Sequence, residues 1–218
     1  MPFHLDLTRV ALAAVLLLVS LPVHEFFHAL VAYRMGDGTA KLFGRLTLNP
    51  IVHFDPVGGS LLLLTLLSGS GFAFGWAKPT PVTPMNLRGG RQSDAWVALA
   101  GPLSNLMLAA AAAIPFRTMI ATGVDAPGLL DFLFLFVQIN VALMIFNLIP
   151  LPPLDGSHVL LALVDPRTSY QLRAVLTQYG PIILFALILL PSLTGLPSPL
   201  GIVFEVAAGP IIHLLLGQ

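Results

Sequence analysis

From Val10 to Val23 the chain carries no charged residue, and apolar side chains continue through Phe26, Phe27, Ala29, Leu30, Val31 and Ala32. About 20 mostly apolar residues suffice to cross a bilayer, so 8–34 is expected to form one membrane-spanning helix. A cleaved signal peptide is the weaker reading, because no small-x-small cleavage site precedes His24. Comparable runs lie at 93–116, 129–150 and 174–194; a fifth, at 199–216, is shorter and interrupted by Gly209-Pro210. Only 9% of the 218 residues are charged and 56% are hydrophobic, against roughly 25% charged in soluble domains. The expected architecture is an α-helical polytopic membrane protein with about five to six transmembrane helices. It forms a single domain, 1–218, whose surroundings are the lipid bilayer.

The zero formal net charge gives no reason to expect a nucleic-acid partner. The absence of cysteine excludes disulfides and thiolate metal sites, so any metal falls to His, Asp, Glu or backbone oxygens. In the segment 57–77, a Leu-rich run is flanked by Val57-Gly58-Gly59-Ser60 and Ser68-Gly69-Ser70-Gly71. That Ser/Gly break suits a re-entrant hairpin better than a straight crossing. Arg34, Lys41, Arg45, Lys78, Arg88 and Arg91 then share one side of the membrane, which the positive-inside rule makes cytoplasmic. Residues 38–50 partly alternate in polarity, which predicts a small β element at the cytoplasmic face.

Within the first apolar run stands His24-Glu25-Phe26-Phe27-His28. On a helix, residues four apart share a face, so both imidazoles can reach one metal ion. Glu25 adjoins the first histidine, where it can take a proton from water. Three ionisable groups within a span are costly and mark function rather than filler. A catalytic zinc takes three protein ligands. The candidates for the third are His53, Asp55, Asp155, His158, Asp165, Glu205 and His213. Asp155 is the best placed. Pro150, Pro152 and Pro153 break the chain where it leaves the membrane, and a carboxylate at that depth needs a cation. With 57–77 re-entrant, the chain crosses twice between His28 and Asp155 and returns to the same side.

Together, His24-Glu25-x-x-His28 and Asn147-x-x-Pro150-x-Pro152-x-x-Asp155-Gly156 resemble the site-2 protease family of intramembrane zinc metalloproteases, in its compact prokaryotic branch. The likeness extends to Arg45-Leu46-Thr47-Leu48-Asn49-Pro50, His53-Phe54-Asp55-Pro56-Val57-Gly58, Phe74-Gly75-Trp76-Ala77-Lys78-Pro79 and Ala100-Gly101-Pro102-Leu103-Ser104-Asn105. The resemblance implies a zinc ion held by His24, His28 and Asp155, with Glu25 as general base. The zinc-site core then covers about 8–160 and the C-terminal helices about 170–216. It also implies hydrolysis of peptide bonds within or near the transmembrane segments of membrane-anchored protein substrates, in a multi-pass cell-membrane protein with its active site toward the cytoplasm. Many family members have a span before the zinc helix, and some a PDZ domain; neither is expected here.

Asn147 is the candidate donor to the developing oxyanion, with backbone amides as rivals; Asn140 lies two turns earlier on the same face. The 38–50 strand could pair with an extended substrate. Asp55 reads as an Asp-Pro turn residue rather than part of an accessory metal site with His53. Gly101 and Asn105 read as a close helix contact with a polar tie, and His158 and His213 as interfacial or packing residues. Glu205 requires a partner that the sequence does not name. A transporter or channel and an inactive membrane chaperone are the alternative functions, and oligomeric state is left open.

Overall fold

The computed structural model describes residue 11, residues 14–67 and residues 75–217. Helix α1 covers Leu16–Arg34, its first turn (Leu16–Ser20) wound as a π-helix. The short helices α2 (Thr39–Leu42) and α3 (Pro50–His53) follow, then α4 (Pro56–Leu67). An extended stretch and a single 3₁₀ turn at Pro84–Asn86 lead into α5 (Gly90–Thr122), the longest helix. The rest is α6 (Pro127–Asn147), α7 (Gly156–Leu163), α8 (Pro166–Thr194) and α9 (Pro199–Leu216).

Five of these, α1, α5, α6, α8 and α9, are long and apolar enough to cross a membrane. The five expected runs thus appear as helices. Neither Gly209-Pro210 in α9 nor Pro102 and Pro115 in α5 ends its helix.

Small residues set how tightly the bundle closes. In lipid there is little hydrophobic force between helices, and close approach of backbones does the work. On α5, Ala109, Ala112 and Ala113 are buried against Val137, Val141, Met144 and Ile145 of α6, with Ala208 and Leu216 of α9 closing the cluster. Ala29 and Ala32 of α1 are fully buried. Arg91, at the start of α5, donates from Nη1 to Leu161 O at 3.1 Å and Val164 O at 3.2 Å, and so fastens the end of α7. Deeper in the same region, Leu154, Leu184 and Ile188 form a cluster that takes in Phe146, Ile149 and Leu200.

One expectation needs correction, and a second, the re-entrant segment, is described only in part. The β element at 38–50 is absent: the chain there forms α2, a turn and α3, and the described residues contain no strand. Local chemistry outweighs the alternation. Asn49 caps α3 through Ile51 N at 3.1 Å, and Pro50 takes the first helical position, where a missing N–H costs nothing. The Arg45 side chain turns inward to bond Val52 O at 2.7 Å. Of the expected re-entrant segment at 57–77, the described part is α4 and the residues after 74. Twelve residues of helix rise only about 18 Å, too little to cross. Ser68-Gly69-Ser70-Gly71 lies outside the described residues. Gly75 returns beside the first half of α4, so closely that a Cβ there would stand 2.5 Å from Gly58 O and Leu62 Cβ.

Past α1, the buried Asp37 carboxylate ties the helix end to the chain leading into α5. It accepts hydrogen bonds from Thr39 N at 3.0 Å, the Thr39 hydroxyl, Thr83 N at 2.6 Å and Asn86 Nδ2 at 3.0 Å. Burial opposes its charge, but these donors outweigh burial and hold its pKa below the usual 3.8. A carboxylate with a lowered native pKa adds stability that is complete above the unfolded value and lost as pH falls through the native one. Asp37→Asn should therefore lower the melting temperature of the purified protein at pH 7, by the equivalent of about 2 kcal/mol. The gap between the melting temperatures of the two proteins should begin to narrow below about pH 4 and close only below the lowered native pKa; a pH-independent gap would mean that the charge is not what matters.

Candidate metal centre

His24 and His28 lie one turn apart on α1, both buried, with their Nε2 atoms 3.0 Å apart. Asp155 precedes the first turn of α7, after the proline-rich segment that ends α6. Its Oδ2 lies 3.1 Å from His24 Nε2 and 3.3 Å from His28 Nε2. Three donor atoms from two distant stretches of chain thus converge.

The outer nitrogens fix what the inner ones offer. His28 Nδ1 lies 2.7 Å from Val97 O, which can only accept, so Nδ1 carries the proton and Nε2 presents a lone pair. His24 Nδ1 lies 2.7 Å from Asn105 Oδ1. Asn105 Nδ2 donates to Asn140 Oδ1 at 3.1 Å, and Asn140 Nδ2 donates to Phe136 O at 2.9 Å. The terminal carbonyl sets the direction of this relay, so His24 Nδ1 also donates and its Nε2 also faces inward bare. Asn105 and Asn140 are fully buried.

Two lone pairs and a carboxylate oxygen facing one another repel unless a cation sits among them. Asp155 Oδ2 is buried and accepts no hydrogen bond among the described residues. Zinc bonds of about 2.0–2.1 Å in a tetrahedron place neighbouring donors about 3.3 Å apart, close to the three observed separations. There is also room. A Cβ on residue 101 would stand 2.3 Å from His28 Nε2 and 2.5 Å from His24 Nε2, so the space in front of both nitrogens is open because that residue is glycine. His24, His28 and Asp155 fit zinc in donor type, spacing and space, and among the described residues they are the group whose donor atoms could hold one metal ion. Asn105 Oδ1 and Val97 O, which accept from the two Nδ1–H groups, are outer partners of the kind that commonly orient such histidines.

Glu25 points elsewhere on the same helix. Its Oε2 accepts from Thr80 N at 2.7 Å, and its backbone carbonyl accepts from Thr80 Oγ1 at 3.0 Å. Asn147 ends α6 and donates from Nδ2 to Leu143 O on its own helix at 3.0 Å; no contact joins it to the cluster among the described residues.

The other candidates are placed apart. Asp55 Oδ1 accepts from Val57 N and Gly58 N, which is a turn and helix-start role. His53 is buried and bonds Thr47 O through Nε2 at 2.8 Å. His158 pairs with Asp94 at 2.8 Å, joining α7 to α5. Asp165 caps α8 through Arg167 N and Thr168 N. Glu205 and His213 are exposed on α9.

Sequence reading missed the Val97 carbonyl, the Asn140 link and Thr80. It did place Gly101 and Asn105 in a close polar helix contact; the structure gives that contact's partner as His24.

A helical bundle of membrane-span dimensions that gathers two histidines and an aspartate around an open, proton-free space defines a membrane metallopeptidase of the His-Glu-x-x-His kind. The comparisons with known proteins agree. The family model described as peptidase family M50 matches residues 115–191, a stretch that includes Asp155. The chain is 42% identical over 183 residues to "Putative zinc metalloprotease YwhC" of Bacillus subtilis, covering 80% of this chain and 78% of that one. It is 34% identical over 185 residues to "Putative zinc metalloprotease Rip2" of Mycolicibacterium smegmatis, covering 81% and 66% respectively. A protein of the same name from Mycobacterium tuberculosis H37Rv is 33% identical over 190 residues. No solved structure matches the chain. The chain belongs to peptidase family M50, the site-2 proteases, and is a zinc metalloprotease.

The space left by Gly101 yields a direct test. Gly101→Ala should fold but hold less than a tenth of the zinc of the native protein by elemental analysis after dialysis. Asn105→Ala, which leaves the space but frees the His24 ring, should bind zinc roughly 10–100-fold more weakly. Full zinc occupancy with unchanged affinity in Gly101→Ala would place the metal elsewhere.

Proposed function

We propose that the protein is an intramembrane zinc endopeptidase that cuts membrane-anchored protein substrates within or near their transmembrane segments, as in regulated intramembrane proteolysis. The observation that carries this reading is the position of the donor cluster. His24 and His28 lie mid-way along a helix of spanning length, and the third donor is brought to them by the broken end of another.

In this reading His24, His28 and Asp155 hold the metal, and Gly101 keeps its place open. Bound zinc supplies Lewis acidity, making water more acidic and the scissile carbonyl more electrophilic. Glu25 accepts the proton from the attacking water and returns it to the departing amine nitrogen. Asn147 offers its amide to the developing oxyanion. For this it must exchange its bond to Leu143 O for one to substrate. A helical substrate hides its carbonyls, so the segment to be cut must unwind before it reaches the site.

The active site lies toward the cytoplasm. Arg34, Lys41, Arg45, Lys78, Arg88 and Arg91 all sit between α1 and the body of α5, and the positive-inside rule assigns that side. The rule applies cleanly when 57–77 enters and leaves on one face. The shortness of α4 and the return of Gly75 beside it support that course.

The test is cleavage of a tagged single-span reporter by purified, zinc-loaded protein, beside Glu25→Gln. The native protein should cut inside the membrane segment; the variant should bind zinc and be at least about 10³-fold slower. A variant that cuts as fast as the native protein would remove Glu25 from the mechanism. A native protein without stoichiometric zinc would overturn the site itself. Asn147→Ala should keep its zinc and KM while kcat falls roughly 10²-fold, the cost typical of one lost oxyanion donor. A purely structural amide would instead show itself as a lower melting temperature with kcat intact.

A further inference from the structure

Between α4 and α5 the chain runs without regular secondary structure through Trp76-Ala77-Lys78-Pro79-Thr80-Pro81-Val82-Thr83. Residues that precede proline are driven out of the helical region, so Lys78 and Thr80 are both held extended by their neighbours. The prolines also lack N–H groups. In Pro79-Thr80-Pro81 the amide of Thr80 is therefore the one backbone donor, and that donor is spent on Oε2 of Glu25 at 2.7 Å.

The strap is anchored on both sides of this contact. Lys78 N donates to His53 O at 2.8 Å, and Lys78 O accepts from Arg45 Nη1 at 3.3 Å. On the other side Thr83 N donates to the buried Asp37 carboxylate at 2.6 Å. At the centre Thr80 Oγ1 donates to the backbone carbonyl of Glu25 at 3.0 Å, so one residue grips both the main chain and the side chain of Glu25. A glutamate side chain has three rotatable bonds and is mobile unless held. Here a rigid donor fixes its carboxylate plane from outside the helix.

We propose that the backbone amide of Thr80 is a positioning donor for the general base: by holding Oε2 of Glu25 it restrains the carboxylate, so that its other oxygen, Oε1, takes the proton of the attacking water. The proposal deepens the protease reading and rests on it. The function lies in the amide, presented by the flanking prolines, rather than in the threonine side chain. A displacement of a reacting group by about 1 Å can cost 10²-fold in rate, so loss of this donor should be read in kcat.

Two substitutions in the full-length, zinc-loaded protein separate amide from hydroxyl. Thr80→Pro removes the N–H at a site already extended; Thr80→Val keeps it and removes the hydroxyl. In reporter cleavage, Thr80→Pro should lower kcat roughly 10²-fold with KM within about twofold and zinc stoichiometric. Thr80→Val should lose no more than about fivefold, the scale of one modest hydrogen bond. Equal losses in both variants, or an undiminished kcat in Thr80→Pro, would overturn the proposal.

A measurement that changes nothing at position 80 covers the case in which Thr80→Pro does not fold. In amide NMR spectra of the zinc-loaded protein, the Thr80 proton should lie downfield, as a charge-assisted bond requires, and move upfield in Glu25→Gln. An unmoved resonance would overturn the contact. Because this readout needs no cleavage, it stands apart from the protease reading: a native protein that binds zinc but cuts no reporter sinks that reading and leaves the NMR result to judge the contact.

Discussion

The metal centre depends on one face of α5. Arg91, Asp94, Val97, Gly101 and Asn105 recur at three- and four-residue intervals, which on a helix makes a single stripe. Arg91 and Asp94 hold α7 through Leu161 O, Val164 O and His158. Val97 and Asn105 hold the two imidazoles, and Gly101 between them gives the space in front of those rings. Asp155 immediately precedes α7, and His24 and His28 belong to α1, so the same helix sets both halves of the donor cluster. Any rotation or sliding of α5 would move ligands and partners together. This gives a physical reason for its small, buried residues: the stripe works only at close range.

Polarity in an apolar bundle needs complete satisfaction, since an unpaired donor or acceptor there has no water to fall back on. The relay from His24 through Asn105 and Asn140 ends on Phe136 O, a carbonyl of α6. Each amide uses one donor and one acceptor along the line, and the line points one way. Its effect is to keep protons on the outer side of the ligand rings. Where this line meets the donor cluster, what remains unsatisfied is Oδ2 of Asp155 and the two inward lone pairs. The polar accounts of the interior therefore close everywhere along this path except at the point where a cation belongs.

Much of this was legible in the sequence because side-chain identity and spacing carry it. His24, Glu25 and His28 declare themselves by a helical interval inside an apolar run. Asp155 emerges from proline punctuation and from counting crossings. Other features leave no such trace. Val97 contributes a backbone carbonyl, an atom that every residue has. Asn140, in the largely apolar α6, announces only that it needs a partner. Thr80 acts through an N–H, and its sequence signal is the pair of prolines around it, which reads as an ordinary loop. The 38–50 segment misled for a related reason. Alternating polarity is a weak constraint beside the Asn49-Pro50 helix start and an Arg45 side chain that turns inward to collect carbonyls.

The segments between α1 and α5 then have a common logic. They are short, irregular and rich in proline, so their own backbone bonding is sparse. Their order comes instead from side chains that reach across: Asp37 gathers Thr39, Thr83 and Asn86, and Arg45 spans from Val52 O to Lys78 O. Both ends of the extended strap are tied into this frame, while its middle touches Glu25. The histidines are thus set by a helix within the bundle, and the carboxylate beside them by a loop outside it. Separating the two supports lets the metal cluster be rigid, as close helix packing makes it. The Glu25 carboxylate rests instead on a segment without regular secondary structure.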